Sequence, residues 1–145
     1  MYGHLQYSVG YKYYLVFLDD YTHFYWSFSL RPKSDEHHYI VEFIAYANTR
    51  FNVTPWSFQA DNGTKFINHA TTSFFSTHGI QLCLSCPYTS QQNGKAEHML
   101  RTINRKIRTL LIHASMPPPY WAEALAAATF VLNRRPSTSV HHAIP

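Results

Sequence analysis

The chain has 145 residues, 46% of them hydrophobic and 17% aromatic. That is enough apolar material for one packed domain and too much for a disordered chain. Twelve Lys and Arg against eight Asp and Glu leave a net charge of +4, a balance that suits a polyanionic partner without requiring one. No apolar run approaches the roughly 18 residues of a membrane helix, and the opening MYGHLQYSVG lacks the basic and hydrophobic segments of a secretory leader. The expectation is a nuclear or cytoplasmic protein, neither secreted nor membrane-bound.

Residues 11–20 (YKYYLVFLDD) are aromatic and β-branched with apolar side chains at both parities, as in a strand covered on both faces. Residues 20–23 read as a turn, and Phe24, Trp26, Phe28 and Leu30 then alternate as a second strand, completing a hairpin. Arg31-Pro32 ends it. Ser34 is positioned to cap a helix with Asp35 and Glu36 in its first turn, and Ile40, Phe43, Ile44, Ala47 and Phe51 follow at helical spacing. Residues 56–60 predict a short strand ending in Asp61-Asn62-Gly63. Thr64 could cap a second helix with Phe66, Ile67, Ala70 and Phe74 facing inward, closed by Gly79. Ile80, Leu82 and Leu84 alternate as a further strand. A polar loop over residues 85–93 precedes a long helix over residues 94–114, and the prolines at 117–119 separate it from a last helix carrying Trp121, Ala124, Leu125, Ala128, Val131 and Leu132. This ββ-α-β-α-β-α-α order predicts an α/β fold: a mixed sheet flanked by helices.

Cys83 and Cys86 form a single C-x-x-C without two further ligands at zinc spacing, and the His37-His38 and His141-His142 pairs lack metal-ligand spacing, so none is assigned a metal. Two carboxylates are the stronger candidates. Asp61 ends a strand in a D-N-G turn, and Glu97 falls in the first turn of the long helix, 36 positions later. A strand-helix-strand-loop unit of that length can bring the two together, and paired carboxylates are hard oxygen ligands for Mg²⁺ or Mn²⁺. Each acid alone has an ordinary explanation, turn chemistry for Asp61 and helix-dipole complementation for Glu97. At about 100° per residue, Glu97, Arg101, Arg105 and Arg108 share one quadrant of the helix, opposite Leu100, Ile103, Ile107, Leu110 and Leu111. An arginine stripe beside a metal-binding acid suits a phosphate backbone; the simpler alternative is a solvated basic face.

Four stretches, YKYYLVFLDDYTHFYWSFSL, QADNGTKF, CPYTSQQNGKAEHMLRTINRKIRTLL and YWAEALAAATFVLNRRPS, in this order and spacing, resemble the integrase core of copia-type retrotransposons. The resemblance covers essentially the whole chain. It implies an RNase H-like fold, an Asp-Asp-Glu triad holding two divalent metals, DNA as substrate for end trimming and strand transfer, and a homo-oligomeric assembly. Asp61 matches the second Asp and Glu97 the Glu. Tyr88 and Asn93 match the active-site loop, Arg101 a basic DNA-contacting position, and Lys95 is counted with the candidate nucleic-acid contacts. The first Asp would fall immediately before Met1, ahead of Tyr2-Gly3-His4. The expectation is therefore a core-like domain over residues 1–145, truncated at both ends, with its first, central strand largely missing and its catalysis impaired. Asp19 and Asp20 match the following strand and are not expected to substitute. His4 stands where the family has Pro and His98 where it has Arg. Two rival readings are a non-enzymatic nucleic-acid-binding or dimerisation remnant and a metal-dependent nuclease of the same fold.

Overall fold

A computed structural model describes residues 10–60, 68–84, 90–136 and 144–145, with the backbone alone for residues 33, 84, 90–93, 95 and 96. The chain divides into two compact units, residues 1–32 with 96–145 and residues 33–95. Residues 1–9, where the tail of a central strand is expected, lie outside the described residues.

In the first unit, β1 (Tyr13–Leu18) pairs antiparallel with β2 (Tyr25–Leu30), from Tyr13 opposite Leu30 to Leu18 opposite Tyr25. The predicted hairpin is present, and its turn is built by side chains. Asp19 Oδ2 accepts the Thr22 N–H at 2.9 Å and the Thr22 hydroxyl at 2.5 Å. His23 takes up a left-handed φ of 60°. Two helices from the far half of the sequence complete this unit, α3 (Ser90–His113) and α4 (Trp121–Leu132), although α3 begins in the other unit's residues. Met99, Ile103 and Ile107 of α3 and Ala124, Leu125 and Ala128 of α4 form the buried core, with Tyr14, Val16, Leu18 and Tyr25 packed against it.

The outer residues of β2 are tied to α4 by polar groups. Asn133, just past the helix, accepts the Tyr25 N–H through Oδ1 and donates through Nδ2 to the Tyr25 carbonyl, both at 2.8 Å. Its amide thus takes the place a neighbouring strand's backbone would fill, which protects a sheet edge. Thr129 and Ser27 exchange a hydroxyl hydrogen bond at 2.8 Å one turn earlier.

In the second unit, α1 (Glu36–Phe51) buries Ile40, Phe43, Ile44 and Ala47, four of the five predicted apolar positions, while Phe51 at its end is exposed. A 3-10 turn over Lys33–Asp35 precedes it, so Asp35 and not Ser34 stands at the N-cap, and Glu36 is buried. Asn52 ends α1 in the left-handed conformation that asparagine tolerates. Next, β3 (Ser57–Ala60) and β4 (Gln81–Leu84) pair in parallel, which requires a crossover, and α2 (His69–Thr77) supplies it. Phe58 of β3 stacks on Phe75 of α2 with ring centroids 5.0 Å apart, and Phe43 meets Phe58 edge-on.

The second helix departs from expectation. Its cap is Asn68, whose Oδ1 accepts the Thr71 N–H at 2.8 Å, and the expected cap Thr64 with Phe66 and Ile67 lies outside the described residues. Thr71 and Phe75 are its buried positions, while Ala70 is exposed. Thr71 is buried because its hydroxyl is fully used. It donates to Asn68 Oδ1 at 2.9 Å, so the contact with His37 Nδ1 at 3.0 Å must be an N–H donated by the imidazole. Gly79 closes the helix with a φ of 66°, a conformation glycine reaches without strain.

Candidate nucleic-acid interface and carboxylate site

α3 is longer at its start than the sequence suggests. It begins at Ser90, so the expected loop is helical from 90 onwards and Glu97 sits in the third turn instead of the first. Helix-dipole complementation therefore no longer explains Glu97, because that effect fades within one turn. Asn93 and Lys95 are placed on this helix by their backbone.

The buried face of α3 is centred on Met99, Ile103 and Ile107, with Leu110 and Leu111 half-buried beside them. Leu100, expected in the core, is 40% exposed. At about 100° per residue it sits at the rim of an apolar arc that Met99 extends on the other side. Opposite that arc, Glu97, Arg101, Asn104, Arg105 and Arg108 are all exposed. Arg101 Nη2 lies 3.6 Å from Glu97 Oε2, a pairing of residues one turn apart.

Asn104 was not singled out by sequence. Its Oδ1 accepts the Tyr14 hydroxyl at 2.9 Å, tying the middle of the basic face to β1. Burial raises the Tyr14 hydroxyl above the usual tyrosine range, and the bond to Asn104 partly offsets that. The available signal was spacing: positions 97, 101, 104 and 108 recur at four and three residues, so a polar side chain at 104 belongs to the same stripe.

Asp61 and Tyr88 lie outside the described residues. Asp61 immediately follows β3, whose last residue Ala60 is in register with Leu84. Among the described residues, no group of three or more His, Cys, Asp or Glu is gathered in a way that could hold a metal. Glu97 nevertheless fits one as a single ligand: its carboxylate is a hard oxygen donor, open to solvent and loosely paired. Several other acids and histidines are engaged elsewhere. Asp19 accepts the hydrogen bonds of its turn, His37 donates to Thr71, and His38 pairs with Glu42 at 3.2 Å. Cys83 is a half-buried free thiol; Cys86, His141 and His142 lie outside the described residues. No helix among the described residues is long and apolar enough to cross a membrane.

Residues 2–90 match the integrase core domain family. The chain is 37% identical over 128 residues to the retrovirus-related Pol polyprotein from transposon RE1 of Arabidopsis thaliana, a match covering 88% of this chain and 9% of the relative. It is 32% identical over 136 residues to the corresponding polyprotein from transposon TNT 1-94 of Nicotiana tabacum, covering 94% of this chain and 10% of the relative. The chain thus spans about a tenth of the length of these curated relatives. Among solved structures it is similar to the HTLV-2 integrase catalytic core domain in complex with magnesium (trimeric form), with a TM-score of 0.60 at 17% identity over 82% of this chain and 72% of that one. A simian T-cell lymphotropic virus intasome in complex with the PP2A regulatory subunit B56 gamma gives a TM-score of 0.67 at 15% identity, over 83% of this chain and 41% of that one.

Proposed function

Because the chain belongs to the integrase core domain family and has its RNase H-like fold, we propose that it is the core portion of a retrotransposon integrase that binds DNA along α3 and holds Mg²⁺ or Mn²⁺ through Asp61 and Glu97. The observation that carries this reading is the division of α3 into a buried apolar face and an exposed face where Glu97 stands with three arginines. Arg101, Arg105 and Arg108 would grip phosphates without reading sequence. Asn104, held by Tyr14, keeps that face in register with β1. Tyr88, Asn93 and Lys95, just before Glu97 in sequence, are the proposed contacts to DNA ends. When bound, the divalent ion supplies charge neutralisation and oxygen activation for phosphodiester displacement. In the full-length protein this would serve end trimming and strand transfer. The trimeric and intasome states of the two solved relatives support a homo-oligomer working on DNA, and a nuclear or cytoplasmic location is proposed with it.

Two binding measurements test the reading. Duplex affinity should fall with salt at a log–log slope of roughly −0.9 per phosphate contact. Replacing all three arginines by Gln should flatten that slope by about 2.7. Mn²⁺ titration, followed by loss of the free-ion EPR signal, should weaken about tenfold or more for Asp61→Asn and for Glu97→Gln. Salt-dependent DNA binding with no response of Mn²⁺ to either carboxylate change would instead favour a non-enzymatic nucleic-acid-binding module.

A further inference from the structure

We propose that Arg101 is shared between Glu97 and a DNA phosphate, so that cation binding at Glu97 and phosphate binding at Arg101 each favour the other. This rests on the reading of Glu97 as a metal ligand and Arg101 as a phosphate contact, and adds a coupling between them. The Arg101 guanidinium lies 3.6 Å from the Glu97 carboxylate. A guanidinium there competes for oxygens that a cation would take, and a carboxylate there repels an approaching phosphate. The pair is held by helix geometry, with the acid one turn N-terminal to the base, the favourable order for residues four apart. It is also easy to break. The side chains are 79% and 54% exposed, and an exposed ion pair shifts an equilibrium only about two- to fivefold. A cation on Glu97 releases Arg101 to phosphate, and a phosphate on Arg101 releases Glu97 to the cation; linkage makes the two effects equal. A tight, buried pair would block both ligands. An exposed one can bias each toward the other without barring either.

The experiment is a double-mutant cycle on the full chain, with both substituted positions, Glu97 and Arg101, on the solvent face of α3, where folding is not at stake. A labelled DNA duplex is titrated in EDTA, so that no metal takes part. Glu97→Gln should tighten duplex binding about threefold when Arg101 is present, and by less than about 1.5-fold in an Arg101→Gln background. An equal gain in both backgrounds would mean that Glu97 acts only through its long-range charge, and would overturn the proposal. In a parallel titration with Mn²⁺ alone, Arg101→Gln should tighten Mn²⁺ binding about threefold. If Glu97→Gln weakens Mn²⁺ binding but Arg101→Gln leaves it unchanged, the metal reading stands and the sharing fails. If Glu97→Gln leaves Mn²⁺ binding unchanged, the metal reading fails and the proposal goes with it.

Discussion

The two units of this chain solve different electrostatic problems. Residues 1–32 with 96–145 carry eight Lys and Arg against four Asp and Glu, while residues 33–95 carry four of each. The whole net charge of +4 therefore belongs to the first unit. Its arginines on α3 stand exposed, and its polar bonds near the surface, Tyr14 to Asn104 among them, brace the face that carries them. In the second unit the polar chemistry turns inward: His37, Thr71 and Asn68 bond one another and fix the start of α2 to α1. A unit without net charge offers a polyanion no net attraction; a basic one with an open face suits the DNA contact proposed for it. The net charge of the whole chain, taken alone, hides that division.

The comparison is broken most directly in the cores. Ile103 has no exposed surface and Phe75 is 3% exposed. Ile103→Ala should cost about 2–5 kcal/mol and Phe75→Ala about 3–5 kcal/mol. Hydrogen exchange checks whether the units are energetically distinct. Ile103→Ala should speed exchange first in β1, β2 and α4, and Phe75→Ala first in β3, β4 and α2. Identical patterns from both variants would show one cooperative body in which the charge division has no folding counterpart.

A smaller effect compares two asparagines. Asn133→Ala removes both partners of the Tyr25 backbone groups, and leaving part-buried backbone unsatisfied costs on the order of 1–3 kcal/mol per group. Asn68→Ala removes a helix cap at an exposed position, a loss of about 0.5–2 kcal/mol. Urea midpoints should therefore drop further for Asn133→Ala. The reverse order would show that the Tyr25 groups find water once the amide is gone.

Neither asparagine was legible in the sequence, and the reason is physical. Periodicity reports which residues are apolar and repeat, so it located both hairpin strands, most of the apolar face of α1, the two strands that pair in parallel and α4. It does not report long-range polar pairing: Asn133 meets Tyr25 across 108 positions, and Tyr14 meets Asn104 across 90. Boundaries failed where polar sequence is helical. Residues 90–93 (SQQN) carry no apolar repeat, yet they form the first turn of α3. Glu97 and the arginine stripe were legible because a 3.6-residue period fixes which side chains share a face, whatever the exact start. Met99 in place of Leu100 was a matter of one residue at the rim of that face. The match to the integrase core family was readable from four motifs in order, because spacing between motifs constrains far more than any one of them.

The finest test of the contrast is alkaline. Burial raises the hydroxyls of Tyr14 and Tyr25 above the ordinary value of 10.0, with Asn104 partly offsetting the effect at Tyr14, and both tyrosines belong to the first unit. A tyrosine with a raised folded pKa holds its proton longer in the native chain than in the unfolded one. Between the unfolded and folded values the unfolded state binds fewer protons, so stability must fall as pH rises. The contribution is complete below about pH 10 and is lost progressively above it. Tyr14→Phe should make that decline shallower while also losing the bond to Asn104, and Tyr25→Phe should make it shallower without touching α3's exposed face. Urea midpoints measured from about pH 9 to 11 would register both as reduced slopes, each smaller than either asparagine effect. Slopes that match the unsubstituted chain would place the alkaline weakness elsewhere and leave the first unit distinguished by its charge alone.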